Sequence, residues 1–235
     1  MRSERGKGLE YSAWILGGLL VIVSVFQLRP FRFDTRAVAV ALEAFERDRT
    51  FLMNAGLLRI IVVFPATVLA VELWHRFARP ITAAFILVGG VLSVVAGVAQ
   101  VLLGIPAEEL RSGPADTHAI EVVGDVLYWA HDNFATLAGL TFTTGAFAFS
   151  LWMRRERVSN WWVYSGLAAL PLLATSTLSW YFTVADDAAA PTGRHTPTLP
   201  SPIADLWYAC FAIAALVAFL AWLGGLARWR GRFTD

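Results

Sequence analysis

Residue types able to do chemistry collect in one stretch, His118-Ala-Ile-Glu121-Val-Val-Gly-Asp125-Val-Leu-Tyr128-Trp129-Ala-His131-Asp132-Asn133, which runs into a long apolar segment. On a helix, His118, Glu121 and Asp125 fall at i, i+3 and i+7 and share one face, which Tyr128 and Asp132 continue. Imidazole and carboxylate donors in that pattern could hold a divalent metal or pass a proton. A metal on three ligands from one helix needs a fourth partner, and the sequence names none. The competing description is a solvated or interfacial face of an ordinary helix.

The second place is Arg59, a guanidinium well inside an apolar run. A charge there is costly enough that it faces protein, water or a counter-ion, or else snorkels to the headgroups. Counting back from Trp152, a hydrocarbon core of about 30 Å at about 1.5 Å per residue ends near residue 132. His131 and Asp132 therefore belong at the outer boundary. Arg59 sits about 22 Å above the opposite end of its own span and can reach further outward. Its guanidinium comes to the depth of Asp132, which predicts an ion pair. Thr175, Ser176, Thr177 and Ser179 lie at similar depth in another apolar run. Together Arg59, His131, Asp132, Thr175, Ser176 and Ser179 outline a polar pocket for a small molecule or a proton.

Other chemistries find no support. Two axial haem histidines must share a depth, yet His75 and His131 lie about a membrane apart, and His118 and His131 are about 20 Å apart along one helix. A phosphate-binding glycine loop, a zinc-protease His-Glu-x-x-His, a nucleophile elbow and a redox Cys-x-x-Cys are all missing. Cys210 is the single cysteine, so an intramolecular disulfide and a cysteine zinc site are excluded. No cofactor is required by these residues. Net charge of +1 gives no footprint for nucleic acid.

The elements that must position these groups are membrane spans. Hydrophobic residues make up 57% of 235, well above a globular average, and they fall in blocks of membrane length. No polar connection is long enough for a soluble domain, so residues 1–235 form one integral membrane domain. The fold class is all-α, a polytopic six-helix bundle with crossings at 11–28, 52–74, 81–104, 131–153, 160–183 and 205–227. The basic groups Arg2, Arg5 and Lys7, then Arg76 and Arg79, Arg154, Arg155 and Arg157, and Arg228, Arg230 and Arg232 fall on one side. That asymmetry places both termini in the cytoplasm and 29–50, 105–130 and 184–204 outside. The run after Met1 ends in Arg29-Pro30-Phe31-Arg32 without a small-x-small cleavage site, so it reads as a retained span.

Local signals refine this. Val38, Leu42 and Phe45 follow Asp34 at helical spacing with charges opposite, predicting an outer amphipathic helix over about 35–47. Pro65 should kink the second span. Gly89, Ser93 and Gly97 form a small-residue stripe that invites close approach of another helix, and Gln100 should bond across to one. Trp161 and Trp162 occupy the place of an interfacial aromatic pair. The loop 184–202 reads as extended, and the alanine-rich last span as a packing surface.

Residues 128–173 carry a resemblance. A helix ends in Leu151-Trp-Met-Arg154-Arg-Glu-Arg157-Val158, followed by Trp161-Trp-Val-Tyr-Ser-Gly166-Leu and an Ala/Leu span. This is similar to a family of six-span prokaryotic membrane proteins known as a domain of unknown function. Ser159 or Asn160 stands where that family has proline. The resemblance implies a prokaryotic cytoplasmic membrane location and no particular activity. The leading reading is a non-enzymatic membrane protein that binds or passes a small molecule or proton. Its alternatives are an intramembrane metal-dependent enzyme using His118, Glu121, Asp125 and His131, and an accessory subunit. The partners implied are the lipid bilayer and either a second copy or another membrane subunit.

Overall fold

The computed structural model describes residues 5–28, 45–112, 117–188 and 201–229. Among these every regular element is a helix: α1 Arg5–Leu28, α2 Arg49–Ile61, α3 Val63–Phe77, α4 Pro80–Leu102, α5 Gly104–Ser112, α6 Thr117–Arg155, α7 Trp161–Ala188 and α8 Ser201–Arg228. Five stretches are long and apolar enough to cross a membrane: Lys7–Val25, Arg49–Phe77, Pro80–Glu109, His118–Arg155 and Leu206–Arg228. α7, with 28 residues, packs between α6 and α8.

The helices close into a ring. α1 packs on α3, α3 and α2 on α4, α4 on α6, α6 on α7, α7 on α8, and α8 returns to α1. One end of the ring carries the cations. Arg79 lies over the Trp152 ring at 4.1 Å, Arg154 over Tyr164 at 5.0 Å and Arg228 over Trp14 at 5.4 Å. This basic end is floored by aromatic contacts. Phe149 meets Phe77, Trp152 and Trp222 edge-on, with centroids 5.1, 5.2 and 6.0 Å apart. In lipid, where tails are as apolar as leucine, such close fitting drives helix association more than water expulsion does.

α2 and α3 are one span interrupted at Val62, three residues before Pro65, whose missing N–H removes a hydrogen bond to the preceding turn. α6 is continuous for 39 residues, so His118 to Tyr128 do extend the membrane segment as a helix. Residues 184–188, expected as extended chain, instead continue α7. Trp161 and Trp162 do not act as a pair. Trp161 is exposed, whereas Trp162 is buried with its Cβ in the notch left by Gly225. Two left-handed residues, Ala78 (φ 51°) and Arg157 (φ 61°), end α3 and follow α6.

Most of the expected amphipathic helix, residues 35–44, lies outside the described residues. Its last turn, 45–47, is helical, and Phe45 is buried with Leu52, Leu103, Ala107 and Ile120. Nearby, Arg49 pairs with Glu108 at 2.7 Å, tying the start of α2 to α5.

Small residues set the tightest approach. A Cβ on Gly97 would lie 2.5 Å from the Gly56 carbonyl oxygen, so α4 and α2 touch backbone to backbone. Gly89 makes a seat for the Phe142 ring of α6, and Ser93 is buried between them in sequence. The stripe thus serves two neighbours, α2 at one end and α6 at the other.

Candidate functional site

The site grows out of residues 96 and 97 of α4. On one side, the Gly97 notch receives the α2 backbone, which sets the Arg59 Cβ 3.0 Å from where a Gly97 Cβ would be. On the other, His131 Nδ1 lies 3.1 Å from the Ala96 carbonyl oxygen. That oxygen can only accept, so Nδ1 carries the proton and, in the neutral ring, Nε2 keeps a lone pair. One turn further, Gln100 donates through Nε2 to the Leu52 carbonyl at 3.0 Å, the cross-helix bond expected of it. Its Oε1 is buried with no hydrogen-bond partner among the described residues.

Arg59 is 6% exposed, and its Nε likewise has no acceptor among the described residues. It does not snorkel out of the bundle. It lies within electrostatic reach of Asp132 on α6 and Tyr208 on α8. Tyr128, also on α6, feels Asp132 and Tyr208, while His131 feels Arg59. Five ionisable groups from three helices therefore share one electrostatic neighbourhood, at the ring end opposite the basic one.

The expected ion pair is not formed. No nitrogen of Arg59 comes within 4.0 Å of an Asp132 oxygen among the described residues. The reason is lateral placement. α4 packs against both α2 and α6, so the two charges approach from either side of it. A depth argument along the membrane normal sees none of this.

The hydroxyl residues of α7 join only in part. Ser176 is buried and donates to the Tyr208 carbonyl at 3.0 Å, which fixes α8 beside the cluster. Thr175 is exposed and donates to its own helix at Pro171, 2.8 Å away; Ser179 donates to Thr175 at 2.8 Å. Those two bonds satisfy backbone oxygens of their own helix.

Among the described residues no group of three or more His, Cys, Asp and Glu side chains is placed to hold an ion. His118 is exposed and Asp125 half-buried, and the Glu121 side chain lies outside what the structure describes. The residue that sequence reasoning missed is Tyr208. It stands between Trp207 and Ala209 near the start of the last apolar run, and a hydroxyl there at the depth of Ser176 was the available signal.

Comparison with protein-family models, curated proteins and solved structures gives no match. Among the described residues, fold and site define a helical protein with several membrane-length helices and a polar cluster around the buried Arg59.

Proposed function

We propose that this chain is a six-span membrane protein that binds or passes a small molecule or a proton through the cluster of Arg59, His131 and Asp132. α7 supplies the sixth crossing, between the apolar helices α6 and α8. Both termini and the basic end face the cytoplasm of a prokaryotic cell, in keeping with the arginines at residues 76, 79, 154, 155, 157 and 228. The cluster then lies in the outer half of the bundle.

One observation carries the reading: among the described residues Arg59 is buried without a direct counter-ion or an acceptor for Nε, yet with a carboxylate, an imidazole and phenols around it. A purely structural bundle would gain by replacing such a charge with leucine, because an unpaired buried ion is destabilising. A cost of that kind concentrates at sites that handle polar cargo. The test is reconstitution of the full chain in sealed vesicles with an imposed pH gradient. Wild type should dissipate the gradient faster than protein-free vesicles, and Asp132→Asn should slow that leak to the background rate. Equal leak in wild type and Asp132→Asn would reject the proton branch. Failure of the polar variants to change any solute uptake would reject the rest.

A further inference from the structure

Resting on that reading of the cluster, we propose that Arg59 binds a carboxylate and that each carboxylate enters together with one proton, which is taken by Asp132. The argument is one of charge and hydrogen-bond demand. Arg59 is a permanent cation with five donors in a planar fork, a shape that matches a carboxylate through two of them. Its Nε is buried and lacks an acceptor among the described residues. The Asp132 carboxylate is half-buried, pairs with no cation within 4.0 Å and accepts no hydrogen bond among the described residues. It balances the guanidinium only from a distance.

Among the described residues, three other ionisable groups face the pair: His131, Tyr208 and Tyr128. His131 on α6 spends its Nδ1 proton on Ala96 and presents a lone pair at Nε2, which repels an anion. Protonating it would set a second cation beside Arg59. Tyr208 on α8 and Tyr128 on α6 carry hydroxyls that can donate to an anion but remain neutral. One negative charge balances one guanidinium; a second, added in apolar surroundings, would leave the cluster at a net charge of minus one. A proton on Asp132 removes that excess charge, and its oxygens, with no cation within 4.0 Å among the described residues, are open to receive it.

The step balances. A carboxylate anion from solution and one proton from water enter; an O–H bond forms on an Asp132 oxygen, and the guanidinium transfers its partnership to the incoming oxygens. Net charge is zero before and after, so the pair can travel through a low-dielectric bundle without carrying current.

Titration calorimetry on the full-length protein in detergent, with acetate as the probe and two buffers of different ionisation enthalpy, reads both terms. One proton should be taken up per acetate bound. On the alkaline side of the Asp132 titration, affinity should fall about tenfold per pH unit, as proton linkage requires. Asp132→Asn should bind acetate with no proton uptake and no pH dependence. Arg59→Lys, which keeps the charge but loses the fork, should bind about tenfold more weakly with the same proton uptake. Octanoate bound much more tightly than acetate would point to a lipid-borne carboxylate, and equal affinity to a small soluble acid. Absence of acetate binding by folded wild type, binding without proton uptake, or uptake that persists in Asp132→Asn overturns the proposal. In those cases the cluster as a coupled polar unit is judged separately, by the stability coupling of Arg59 and Asp132.

Discussion

Replacing Gly97 by leucine tests whether the site is built on backbone contact between α2 and α4. An added Cβ would stand 2.5 Å from the Gly56 oxygen, 2.9 Å from Ile60 Cγ1 and 3.0 Å from Arg59 Cβ. Ordinary contact begins near 3.4 Å, so even one methyl group is about 0.9 Å too close to Gly56. A carbonyl oxygen cannot rotate away, and α2 must retreat as a body. Overpacking of this kind costs about 1–3 kcal/mol. At about 2–4 °C per kcal/mol for a chain of this size, melting in one detergent should fall by roughly 2–12 °C. Val91→Leu is the control, because Val91 is half exposed on the outside of the same helix. Its melting temperature should stay within about 2 °C of wild type. If both variants melt alike, Gly97 faces lipid, and the account of how Arg59 is placed fails.

Gly166→Ala and Gly225→Ala should each prevent recovery of monodisperse protein, since the new methyl groups would collide with the buried Trp222 ring and with the Trp162 Cβ respectively, whereas Gly18→Ala, with nothing within 4 Å, should behave as wild type on size exclusion. Ala78→Gly should raise the melting temperature, because Ala78 holds φ 51° at the end of α3 and glycine removes a left-handed penalty of about 1 kcal/mol; a lower melting temperature would contradict the turn. In a Cys210→Ala background, His118→Cys should react with an impermeant maleimide on intact cells and Ser159→Cys should not; the opposite pattern reverses the orientation.

Membrane-length helices were legible because hydropathy and helix length are properties of the chain alone. So was the 39-residue α6, whose polar face begins before the apolar one ends. The depth match of Arg59 with Asp132 was readable by counting residues, and the two do feel each other. Their failure to touch was not readable, because it depends on α4 lying between α2 and α6. Helix order around a ring is set by fits such as Gly97 on Gly56 and Phe142 on Gly89, which are pairings and not periodicities. Tyr208 escaped for the same reason: only its register against Ser176 brings it to the cluster. Thr175 and Ser179 each bond to their own helix, which residue type and spacing do not reveal, since a hydroxyl on a helix can satisfy its own backbone as easily as line a pocket.

The central claim is that Arg59 and Asp132 belong to one polar unit inside the bundle. The most direct measurement is a double-mutant cycle on thermal stability with wild type, Arg59→Leu, Asp132→Leu and the double variant in a single detergent. Two charges 4 Å apart at an effective dielectric of about 20 interact by about 4 kcal/mol, and a greater separation brings the expected coupling to about 1–2 kcal/mol. Asp132→Leu alone should be the less stable protein, and removing Arg59 as well should restore part of the loss. Effects that add within about 0.5 kcal/mol would show that the two residues act independently, and the polar unit would not exist.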